Sequence, residues 1–106
     1  MSENLERNSN FLLLFLNTSK QQAYALLDSI DKQQSLVLSE IFANILHLPL
    51  STNAKRLLKL HRTLIERIAS KRLGFRKKQS LLRRHRSTVR KLLYSIKDNL
   101  ELHLKE

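Results

Sequence analysis

Between Lys55 and Lys91 the chain has to meet two demands at once. It must bury leucine and isoleucine every three or four residues. It must also carry 15 of the 20 lysines and arginines of the sequence with only Glu66 to oppose them. An α-helix with one apolar stripe does both, because its 3.6-residue period gathers the apolar side chains on one side and the cations on the other. A sheet is poorly served by the same chain, since one Gly and one Pro in 106 residues leave few of its turns supplied. The expectation is an all-α fold: a small bundle of about five helices, the last one long and amphipathic.

The first half is well punctuated. A first helix is expected over 2–17, with Ser2 as cap and Glu3 at its positive end. The run Phe11-Leu12-Leu13-Leu14-Phe15-Leu16 is apolar on nearly every side and belongs in the core or in an oligomer interface. Ser19 with Gln22, or Thr18 with Gln21, has the spacing of a capping box, and Asp31 with Gln34 repeats it. These open a second helix to about Ser29 and a third to about His47, the latter with Leu38, Ile41, Phe42, Ile45 and Leu46 inward. Leu48-Pro49-Leu50 ends it, because proline disfavours helix in the residue before it.

A fourth helix starts at Ser51 or Thr52 and is expected to run to about Arg72. Leu57, Leu58, Leu60, Leu64, Ile65, Ile68 and Ala69 share one half of its circumference, with Lys55, Lys59 and Arg62 opposite. Gly74 is expected to stop it in the left-handed conformation. A fifth helix over 77–104 keeps helical spacing through Leu81, Leu82, Val89, Leu92, Leu93, Ile96 and Leu100; the alternative is a break near Ser87. Two parts result. Residues 1–50 form a helical core or oligomerisation part, and 51–106 a basic, nucleic-acid-binding part. So small a chain has a modest core, so a homo-oligomer is expected.

The chemistry of catalysis is missing from the pattern. There is no Cys, no nucleophile elbow and no phosphate-cradling glycine loop. His47, His61, His85 and His103 are scattered, and none pairs at ligand spacing with another His or a carboxylate. No enzyme, metal or cofactor is expected. His61 reads as a core or boundary residue, whereas His85, inside the arginine-rich run, can add a phosphate contact. The longest apolar run is far short of the ~20 residues of a membrane span, and Glu3 and Glu6 precede it where a signal peptide would be basic. The expected location is intracellular, in a nucleus or a virion, with no membrane and no secretion.

The cations decide the functional reading. An ordinary solvated helix face mixes signs so that i, i+4 pairs form. Here the excess is nearly unopposed, which is the footprint of a polyanion binder. The expected contacts are Lys55, Lys59, Arg62, Lys71, Arg72, Arg76, Lys77, Lys78, Arg83, Arg84, Arg86 and Arg90. Arginine dominates the later part, and its planar fork grips phosphate oxygens in pairs. Few neutral polar side chains accompany them for base readout, and Phe75 is the one ring inside the run, so duplex DNA held by its backbone fits better than a single strand. RNA is left open. The competing reading is a helical adaptor, whose amphipathic helices and basic face bind a partner protein.

The order of several short motifs also resembles a known group. Thr18-Ser19-Lys20-Gln21-Gln22-Ala23-Tyr24-Ala25-Leu26-Leu27, Ile30-Asp31-Lys32-Gln33-Gln34, Leu38-Ser39-Glu40-Ile41, Leu48-Pro49-Leu50-Ser51 and Ala69-Ser70-Lys71-Arg72 resemble stretches of small basic proteins of Polinton (Maverick) elements and adintoviruses. The resemblance covers roughly residues 11–91. The Gly-Gly-hydrophobic tail of many such proteins is replaced by His85-Arg86-Ser87-Thr88-Val89. The resemblance implies a virion- or replication-associated nucleic-acid binder and assigns no role to particular residues.

Overall fold

Local capping decides where the helices begin. In the computed structural model, which describes residues 8–99, α1 spans Ser9–Leu16, α2 Lys20–Asp28 and α3 Lys32–Asn44. Ser19 Oγ accepts from Gln22 N at 3.2 Å, opening α2. Asp31 and Gln34 form the full reciprocal box, with Gln34 N donating to Asp31 Oδ1 at 2.8 Å and Asp31 N donating to Gln34 Oε1 at 3.1 Å. Two of the start groups that would otherwise be orphaned are satisfied by each other's residue. A 3₁₀ turn, Ile45–His47, closes α3 before Pro49. Ser2 and Glu3 lie outside the described residues.

The second half departs from the expected pair of helices. The expected fourth helix is two, α4 Thr52–Leu60 and α5 Arg62–Ala69, and the expected long fifth helix is also two, α6 Phe75–Arg84 and α7 Arg86–Ser95. Seven α-helices and one 3₁₀ turn lie wholly within the described residues, residues 97–99 are helical again, and α7, at ten residues, is not the long helix expected. Both bends fall on a histidine with nearly the same backbone: His61 at φ −109°, ψ 23° and His85 at φ −111°, ψ 28°. The residues that follow give the reason. His61 and Thr63, and His85, Ser87 and Thr88, are poorer helix formers than the leucines and arginines around them, so the helix is weakest at these points. The break near Ser87 that was the alternative reading is the one adopted, two residues earlier.

The turn between the arms also differs from expectation. α5 ends at Ala69 with Ser70 extended, and Ser70 Oγ accepts from Arg72 N at 3.2 Å, a side-chain turn that competes with the helix. Lys71 and Arg72 therefore lie in the loop. Gly74 is not left-handed: it sits at φ −71°, ψ 166° as the N-cap of α6, and no described residue has positive φ.

One core serves both halves. Leu12, Phe15, Leu16, Leu27, Leu38, Phe42, Leu58, Ile65, Ile68, Leu82, Val89 and Leu93 belong to a single buried cluster. Of the apolar run, Phe11, Leu12, Phe15 and Leu16 face this core, while Leu14 is exposed. α3 packs most extensively on α5, and α2 packs along α6 and α7. α4–α5 and α6–α7 are thus the arms of a hairpin whose apolar side closes over α1–α3. No helix of the described residues is long and apolar enough to cross a membrane.

Candidate nucleic-acid interface

The hairpin arms bend level with one another, and the two bends meet in a groove. Its volume is about 370 Å³, and it is lined by His61, Thr63 and Arg67 from one arm and His85 and Thr88 from the other, with Leu60 and Leu64 beside them. Further cations stand close to its lining along the chain. Arg56 is four residues before Leu60 within α4 and Lys91 three after Thr88 within α7, each on the same helical face as its neighbour, and Arg84 directly precedes His85 at the bend. Arg56, Arg67, Arg84 and Lys91 are all exposed. The amino ends of α5 and α7, the positive ends of their dipoles, also start here. No carboxylate lines the groove.

Five of the twelve expected contacts also interact within the molecule, and of these only Lys78 is buried. Arg62 Nε donates to Glu66 Oε1 at 2.9 Å, one turn along α5. Arg83 Nε donates to the Asp28 carbonyl at 2.9 Å, and Arg86 Nη1 to Asp28 Oδ2 at 2.9 Å. The Arg90 guanidinium lies 4.2 Å from the Tyr94 ring centre, with its Nε buried and unbonded. Lys78 is 5% exposed, its Nζ donating to Ser39 Oγ at 2.8 Å. Ser39 Oγ in turn donates to the Ser35 carbonyl. Burial pushes the Lys78 ammonium below the usual lysine range.

Three of these arginines form a seam with α2. Lys20, Tyr24 and Asp28 recur every four residues on α2, one face of it. Opposite them run Arg83, Arg86, Ser87, Arg90 and Tyr94. Arg86 lies 5.2 Å from the Tyr24 ring centre, Lys20 lies 5.7 Å from it, and the Tyr94 hydroxyl donates to the Thr18 carbonyl at 3.1 Å. The Ser87 hydrogen bond and the Lys20 charge hold the Tyr24 hydroxyl below the usual tyrosine range. Cations here stack on rings and cap a helix end, which is structural work.

Lys55, Lys59, Lys71, Arg72, Arg76, Lys77 and Arg84 are exposed, and none takes part in a salt bridge among the described residues. Lys55 and Lys59 lie on the outer side of α4, away from the groove by the same spacing. Arg56 and Arg67, on the flank of the α4–α5 cationic stripe, and Lys91, at the end of the basic stretch, are not among the expected contacts, because the spacing within a single helix does not show that two arms face each other. Among the described residues no three of His, Asp and Glu gather as metal ligands would. Comparison with protein-family models, with curated proteins and with solved structures gives no match.

Proposed function

We propose that the chain is a non-enzymatic nucleic-acid-binding protein that holds duplex DNA by its phosphate backbone, without regard to sequence, through the α4–α7 hairpin. One observation carries this reading. Arg67 lines a groove that holds no acid, and the exposed Arg56, Arg84 and Lys91 stand within four residues of its lining side chains along both arms. Thr63, Thr88, His61 and His85 add neutral or protonatable donors between them, a set suited to phosphate oxygens. Lys55, Lys59, Lys71 and Arg72 extend the positive field beyond the groove and attract the polyanion before contact. The resemblance to mobile-element and virus proteins supports the same reading, and the location that goes with it is a nucleus or a virion.

A labelled random-sequence duplex, titrated with protein in rising salt, tests this. With roughly six to ten phosphates contacted, affinity falls by about 10³–10⁵ between 50 and 200 mM salt. A duplex that stays unbound at low salt removes the proposal. Replacing the duplex by an RNA hairpin separates the two nucleic acids. Light scattering with and without duplex reads the self-association expected of so small a core.

A further inference from the structure

A second concavity lies at the hairpin tip, against the first turns of α3. It measures about 680 Å³, within the range of ligand-binding clefts. Leu36, Leu73 and Phe75 form its floor, and Lys32, Arg76 and Lys77 stand on its rim. Leu36 is 41% exposed, one of the few large apolar side chains left open. The lining includes no Asp or Glu. Asp31, next to Lys32, is committed to capping α3. Gly74 also lines it, and a Cβ built there would meet nothing within 4 Å, so a larger side chain can be introduced at this position without a clash.

We propose that this groove docks a short acidic, amphipathic segment of a partner protein, with its leucine or phenylalanine side chains on Leu36, Leu73 and Phe75 and its carboxylates on Lys32, Arg76 and Lys77. Charge complementarity selects the sign of the partner, and the floor selects its character. A phosphate backbone would satisfy the rim and leave the apolar floor uncovered. An anionic bilayer takes up the continuous apolar face of an amphipathic helix, whereas the apolar lining here is three side chains, of which Leu73 and Phe75 are half-buried. An amphipathic helix laid in a groove supplies both halves, with apolar anchors at i, i+3 or i+4 and i+7. The inference does not depend on the DNA reading, since the arm groove shares none of these residues.

The probe is a synthetic labelled peptide with leucine and phenylalanine at that spacing and aspartate or glutamate between them. Its fluorescence anisotropy is titrated with the full chain, beside a scrambled peptide of equal charge. The groove binds the amphipathic peptide, and scrambling weakens binding by roughly tenfold or more, the loss typical of a missing apolar anchor. Leu36→Asn, at an exposed position, and Gly74→Trp, which fills the space, each weaken the peptide similarly while duplex binding keeps its wild-type value. Equal binding of the scrambled peptide, or an affinity indifferent to both substitutions, overturns the proposal. So does capture of anionic vesicles or of duplex that Leu36→Asn abolishes, since the groove would then serve lipid or nucleic acid.

Discussion

Arg86 Nη1 lies 2.9 Å from Asp28 Oδ2, joining the start of α7 to the end of α2, and Arg83 donates to the carbonyl of the same aspartate. Both partners of the ion pair are 44% exposed, so its worth is that of a surface pair, about 0.2–1 kcal/mol. A double-mutant cycle with Arg86→Ala and Asp28→Ala, read by urea unfolding, is expected to give a coupling in that range. Duplex affinity changes little in Arg86→Ala, because this arginine faces Asp28 and Tyr24 of α2 rather than the arm groove.

Lys78 is a buried cation whose ammonium donates to a neutral hydroxyl, Ser39 Oγ. Replacing it with methionine removes the desolvation cost and orphans nothing, since Ser39 still donates to the Ser35 carbonyl. Lys78→Met is expected to stabilise the fold by about 1 kcal/mol at neutral pH. The sign with pH follows from the lowered value. Below the ordinary lysine value of 10.5 the unfolded chain binds the proton more strongly than the folded one. Wild-type stability therefore rises, relative to Lys78→Met, as pH climbs from the depressed folded value towards 10.5. Unfolding midpoints of the two proteins across alkaline pH measure this; a constant difference contradicts it.

Gly74 caps α6 without a side chain to accept a backbone amide. Its φ of −71° and ψ of 166° suit serine, as the same geometry at Ser19 and Ser51 demonstrates. Gly74→Ser adds a cap bond and removes freedom from the unfolded chain, a gain of about 0.5–1 kcal/mol. Thermal unfolding reads it as a raised midpoint.

The Tyr24 hydroxyl is held below its ordinary value chiefly by the Ser87 hydrogen bond, with Lys20 assisting. Its phenolate should form at lower pH than that of free tyrosine. Ser87→Ala moves the titration back up, and ultraviolet absorbance of a Tyr94→Phe background isolates the signal. An unmoved titration means the seam is not closed in solution.

What could be read in advance was local. Asp31 with Gln34 and Ser19 with Gln22 are contained within one turn, so their spacing alone specifies the cap. The bends were hidden because apolar spacing runs on across His61 and His85, and a count of 100° per residue sees one helix where there are two. The signal was the weaker helix formers His61 and Thr63, and His85, Ser87 and Thr88. Lys78 was taken for surface because its neighbours are cations, yet it stands four residues before Leu82 and eleven before Val89, in line with the core. Gly74 misled because a glycine after a helix is so often left-handed; here Ser70 ends the helix first. Arg83, Arg86 and Arg90 could not be assigned from charge density, since their partners Asp28, Tyr24 and Tyr94 lie on another element or a turn away.

The central claim is that the inner walls of the hairpin, rather than the seam with α2, meet phosphate. Its most direct test is the salt dependence of duplex binding in Arg67→Gln/Arg84→Gln/Lys91→Gln, beside Arg83→Gln/Arg86→Gln. The account expects the wall variant to lose about one unit of log–log salt slope for each contact removed, and the seam variant to keep the wild-type slope. The reverse pattern, or a wall variant with an unchanged slope, contradicts it.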